Sequence, residues 1–89
     1  MTKVFLRPRA VAGLNAASAK DQVRMRNALK VLFDGSFPPH TKKLEGSRDG
    51  HRTHVGRWRI LFVLKDGEID VADIFLKKGS GDYRRRKQR

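Results

Sequence analysis

The sequence holds no cysteine, and its longest strongly apolar run is only the five residues Ile60–Leu64. The first absence excludes disulfides, thiolate metal sites and cysteine nucleophiles. The second excludes a membrane-spanning helix, which needs about 20 apolar residues. Met1–Arg9 carries three cations among scattered apolar residues, with no apolar stretch or small-residue cleavage site behind it, so it does not read as a signal peptide. A cytoplasmic protein is the expectation. Eighty-nine residues suffice for one small domain and leave no room for a second.

Acidic residues are also scarce. Nine Asp and Glu face 21 Lys and Arg, a formal charge of +12. Such self-repulsion in a small domain costs stability and points to a polyanionic partner. Nucleic acid is the leading reading, and an acidic protein partner over the same surface is the next. No basic amphipathic helix with a clean apolar face favours a membrane surface.

The periodicity divides the chain into a helical N-terminal part and a strand-like remainder. Lys3–Leu6 reads as a short strand ended by Pro8. Ala10–Ala17 reads as a helix with Val11, Leu14 and Ala17 or Ser18 on one stripe. Ser18 and Asp21 have capping-box spacing and start a second helix, in which Met25, Ala28, Leu29, Leu32 and Phe33 form one apolar face. Gly35 ends it. The paired prolines of Phe37-Pro38-Pro39-His40 require an extended connection. Beyond it the period becomes two: Arg52–Val55, a break at Gly56, then Arg57–Leu64. Asp66-Gly67 is a two-residue hairpin turn. That register sets Leu64 opposite Ile69, Phe62 opposite Val71 and Trp58 opposite Phe75, a six-residue apolar face to be covered by the helices. Asp73 fits this scheme poorly. The expected fold is α+β: an αα-hairpin on one face of a small, twisted, mainly antiparallel sheet. Residues 1–83 form the domain, and the cationic end, residues 84–89, is a tail too charged to pack.

The chemistry is narrow. His40, His51 and His54 have no metal-ligand spacing, and no nucleotide-binding or nucleophile-elbow motif occurs. No cofactor is expected. One constellation stands out: Arg52 and His54 alternate onto one strand face, Arg59 lies on the neighbouring strand, and Lys77, Lys78 and Tyr83 follow the last strand. RNA cleavage without a metal needs a base for a ribose 2′-hydroxyl, fixed cations for the phosphorane, and an acid for the leaving 5′-oxygen. Imidazole titrates near neutrality, and neighbouring cations favour its neutral form. A guanidinium suits phosphate better than an ammonium. Each residue also has a plainer role. His54, Arg52 and Arg59 could simply solvate a strand surface, and Tyr83 could anchor the tail. Trp58 belongs to the core face rather than to a base-stacking platform.

The segments Lys42-Lys43-Leu44-Glu45-Gly46, Arg52–Phe62 and Asp73–Lys78, ending near Tyr83, resemble the RelE/ParE superfamily of type II toxin–antitoxin toxins, in particular its RelE/HigB-like ribonuclease branch. The resemblance covers Lys42–Tyr83, with the N-terminal helices agreeing in order and length only. It implies a RelE-like fold and a toxin that cleaves mRNA on the ribosome without a metal, neutralised by a cognate antitoxin. It implies catalytic roles for Arg52, His54, Arg59, Lys77 and Tyr83: base among the basic strand residues, phosphate contacts at Arg59 and Lys77, and the C-terminal tyrosine. Lys42, Lys43, Arg57, Lys78, Arg84, Arg85 and Arg86 are the expected RNA contacts. This chain departs from the pattern in having His54 where lysine can occur, and lysine rather than arginine at position 77. It has no histidine beside Tyr83. The same superfamily contains ParE-like members that act on DNA gyrase without nuclease activity. A basic RNA- or ribosome-binding module is the third alternative.

Overall fold

The computed structural model describes residues 2–77. Tyr83, Lys78, Arg84, Arg85 and Arg86 therefore lie outside the described residues. Two helices and five strands follow in the order β1 (Lys3–Leu6), α1 (Pro8–Ala16), α2 (Ala19–Phe33), β2 (Thr41–Lys43), β3 (Gly50–Val55), β4 (Trp58–Lys65) and β5 (Glu68–Leu76). Pro8 sits at the start of α1, where its missing N–H costs nothing. The Ser18 hydroxyl caps α2 by accepting from the Asp21 N–H at 3.2 Å. Gly35, at φ 87°, takes the left-handed conformation that follows the end of α2.

The strands form one mixed sheet in the order β1-β5-β4-β3-β2. The ladders from β2 to β5 are antiparallel, and β1 runs parallel to β5. Asp66 and Gly67, at φ 55° and 76°, make the β4–β5 turn with both central residues left-handed, the twist a hairpin of this length prefers. Buried Ala10, Leu14 and Ala17, with Met25, Ala28 and Leu32 of α2, share one core with Trp58, Ile60, Phe62, Ile69, Val71 and Ile74. Gly13 lets α1 approach β5 closely, because a Cβ there would overlap the Ile74 carbonyl.

Three details differ from the sequence reading. Val11 and Phe33, which the periodicity places on buried stripes, are 42% and 43% exposed. Leu14 and Ala17 are buried as expected, and Ala10 takes the place of Val11 beside them. The short strand β2, pairing Thr41–Lys43 with β3, has no counterpart in the sequence pattern. The β4–β5 register is as expected at Leu64↔Ile69 and Phe62↔Val71, then slips: Leu61 pairs with Asp73, Ile60 with Ile74, and Trp58 with Leu76. Ala72 is the extra residue of a β-bulge. Phe75 is therefore opposite Arg59, and it is buried outside the helix-side core. The bulge also accounts for Asp73, which faces Leu61 rather than Ile60 and lies 3.6 Å from Arg9 of α1. No described helix is long and apolar enough to cross a membrane.

A cationic face around His54 and Arg59

Residues directly opposite each other on neighbouring strands point to the same side of a sheet. The pairings Lys42↔Arg52↔Leu61 and His54↔Arg59 therefore place Lys42, Arg52, His54 and Arg59 together, on the face opposite Thr53 and Ile60. Lys77 reaches this cluster from the end of β5, where its N–H donates to the Arg57 carbonyl at 2.8 Å. Arg57 itself is exposed in the tight turn that joins β3 to β4. Lys43 pairs with His51 and so lies on the other side of the sheet.

The two central groups, His54 and Arg59, are half-buried. Burial is the main influence that pushes the His54 imidazole below its ordinary value of 6.5. The positive charges of Arg59, Arg52, Lys77 and His40 act in the same direction. The ring is thus neutral at physiological pH. Burial and the charge of Arg52 also lower the Arg59 pKa from its ordinary value, yet a guanidinium stays charged at any pH the fold would meet.

His54 Nε2 and Arg59 Nε are both shut off from solvent, and neither has a hydrogen-bond partner among the described residues. Leaving such a group unpaired costs about 1–3 kcal/mol, more where it is charged. The rest of Arg59 is well held: Nη1 donates to the carbonyls of Gly56 at 2.9 Å and Trp58 at 3.0 Å. The site therefore sets an unpaired nitrogen base and an unpaired guanidinium N–H on paired residues of neighbouring strands, both covered as the structure stands. A hydroxyl next to a phosphate matches that pair.

The other histidines do different work. His51 stacks on Phe62 with ring centroids 5.3 Å apart and planes 11° from parallel, and its Nδ1 lies 3.0 Å from the Asp49 carbonyl. It packs on the side away from His54. His40, exposed and left-handed at φ 64°, accepts from the His54 N–H at 3.4 Å through its carbonyl. No group of three metal-ligating side chains occurs among the described residues. A cleft of about 540 Å³ between α2 and the segment 38–40 is lined partly by His40 and His54. Arg52, Arg59 and Lys77 do not line it, so it does not gather the charges that hold a phosphate.

Sequence reasoning missed one group. Asp21, read as half of a capping box, instead turns its carboxylate to the Trp58 indole, which donates to it at 3.2 Å. Its only signal in the sequence was a carboxylate in the first turn of a helix due to pack near the lone tryptophan.

A small mixed sheet, two helices in the N-terminal half and a face of converging cations define a small basic α+β domain with a RelE-like fold. Solved structures share this architecture. The RelB–RelE antitoxin–toxin complex of Methanococcus jannaschii superposes with a TM-score of 0.76 at 18% identity, over 89% of this chain and 96% of that one. The RelE–RelB complex of Pyrococcus horikoshii gives 0.71 at 21% identity, over 90% and 100%. The isolated RelE toxin of E. coli gives 0.73 at 15% identity, over 99% and 97%. The sequence matches no protein-family model and no curated protein. At 15–21% identity these are likenesses of fold.

Proposed function

We propose that this protein is the toxin of a type II toxin–antitoxin pair and an endoribonuclease that cuts mRNA on the ribosome. The observation that carries the reading is the unpaired His54 Nε2 beside the unpaired Arg59 Nε, on a face that also bears Arg52, Lys42 and Lys77. The structural neighbours that are antitoxin–toxin complexes support the toxin role and a cognate antitoxin as partner.

In this reading, neutral His54 takes the proton from a ribose 2′-hydroxyl, and the freed oxygen attacks the adjacent phosphorus. Arg59 and the neighbouring cations stabilise the charge that builds on the phosphorane oxygens. The bond from phosphorus to the 5′-oxygen then breaks and that oxygen takes up a proton. The products are a 2′,3′-cyclic phosphate and a free 5′-hydroxyl. Tyr83, which matches the family's C-terminal tyrosine, could stack on a base, hydrogen-bond the phosphate or donate this proton. Imidazole and guanidinium supply the base and the positive charge, so the step needs no metal.

The test is incubation with translating ribosomes and, separately, with DNA gyrase. Cuts within codons that end in a cyclic phosphate, at a rate unaffected by a transition-metal chelator, are the expected outcome. Trapped double-strand DNA breaks would replace this reading with that of a gyrase poison. Ribosome binding with no product would reduce the protein to a binding module.

A further inference from the structure

The carbonyls of the Gly56-Arg57 turn and of Trp58, the first residue of β4, all bond residues of the cationic face. Gly56 and Trp58 accept from Arg59 Nη1, and Arg57 accepts from the Lys77 N–H. The position of this turn therefore sets the Arg59 guanidinium and the backbone of Lys77 at once. The turn is itself anchored from outside the sheet. The Trp58 indole, buried on the helix side, donates to Asp21 Oδ2 at 3.2 Å. Asp21 is fixed at its own backbone by the Ser18 cap, and its second oxygen lies 3.7 Å from Arg24 Nη1. The Arg24 guanidinium in turn lies against Gly56, where a Cβ would come within 3.0 Å of Nη1. Gly56, at φ 61°, also requires a residue that tolerates the left-handed region.

We propose that Asp21, from the first turn of α2, is a positioning residue for the cleavage reaction: through the Trp58 indole it holds the turn whose carbonyls grip Arg59 and Lys77. This inference rests on the ribonuclease reading and adds a group that does not touch RNA. A guanidinium aimed at a transition state is effective only if it is already in place when charge develops. Two carbonyls on Nη1 restrict Arg59 only as far as the turn that carries them is restricted. Asp21 and Trp58 supply that restriction from the opposite side of the sheet.

Three variants separate positioning from general stability. Asp21→Ala removes the acceptor, and Trp58→Phe removes the indole N–H while keeping a ring in the core. Asp21→Asn keeps an oxygen that can accept from the indole. Single-turnover cleavage on programmed ribosomes should slow about tenfold in the first two, with KM changed less than about twofold. Asp21→Asn should restore most of the rate. The double variant Asp21→Ala/Trp58→Phe should be no slower than either single one, because both break the same link. Additive losses, or a lower melting temperature with the cleavage rate intact, would overturn the proposal. Should the wild-type protein cleave nothing, the Arg59 Nε–H resonance still decides the matter. It should shift in Asp21→Ala and Trp58→Phe but not in Asp21→Asn, and an unmoved signal in all three would refute the link independently of any nuclease activity.

Discussion

Replacing Arg59 by alanine tests the chemistry most directly. The guanidinium is held by the Gly56 and Trp58 carbonyls before any substrate arrives, so it needs little reorganisation when charge develops. Deleting one preorganised donor of this kind costs about 100- to 1,000-fold in rate, or about 3–4 kcal/mol of transition-state stabilisation. The fold should notice far less. Two carbonyls are left without their donor, at about 1 kcal/mol each, while the repulsion between Arg59 and Arg52 is relieved. A second effect must be separated from the first. Arg59 is the strongest of the charges that lower the His54 pKa, so its removal moves that value up toward 6.5, although burial still holds it down. Rates compared at pH 8, where His54 is neutral in both proteins, isolate the loss of phosphorane stabilisation. The assay is single-turnover cleavage against equilibrium binding to programmed ribosomes. A rate loss of at least 100-fold with an affinity change below about fivefold is the expected pattern. Equal losses in rate and affinity would show that Arg59 only binds, and would remove the main support for the mechanism.

Cleavage should rise with pH through an inflection below 6.5, because His54 acts as a base only when neutral and its pKa is lowered. The same shift gives a stability signature. Between the folded value and 6.5 the unfolded chain binds more protons, so stability falls as pH drops through that window and is untouched above it; His54→Asn should flatten this part of a melting profile. Gly13→Ala should cost about 2–3 kcal/mol in urea denaturation, since the Ile74 backbone has to yield, and a loss below about 0.5 kcal/mol would contradict the close approach of α1 to β5. Deleting residues 84–89 should weaken RNA association and reduce the salt slope by about 0.7 for each phosphate that the shortened chain no longer neutralises, whereas an unchanged slope would mean that the tail does not reach RNA.

Signals confined to a few neighbouring residues were legible. Ser18 as a cap, Gly35 as a stop and Asp66-Gly67 as a hairpin each have a backbone demand that only a few residue types meet. The convergence of Arg52, His54 and Arg59 followed from alternation plus one hairpin register, and the structure brings those three together with Lys77. The parallel pairing of β1 with β5 was not legible, because nothing in Lys3–Leu6 names a partner some 65 residues away. The bulge was legible but unread. Apolar residues occupy odd positions at Ile69 and Val71 and even ones at Ile74 and Leu76, a change of phase across Ala72-Asp73 while β4 keeps its own. Asp21 escaped because a carboxylate at that place in a helix already has a sufficient local explanation, and the Trp58 contact exists only once α2 is laid against the sheet.

Under the proposed ribonuclease reading, the pairing of β1 with β5 bears on when activity could first arise during synthesis. Among the described strands the first in sequence finds its neighbour only in the last, so β1 has no strand partner until β5 has been made. Synthesis adds about 5–20 residues per second from the amino end, and pairings of such long sequence separation form late. Lys77 joins the face only after β5 is in place. A nascent chain from which β5 has not yet emerged would have neither a complete sheet nor an assembled cluster of charges, and under the proposed ribonuclease reading it could not yet act on RNA.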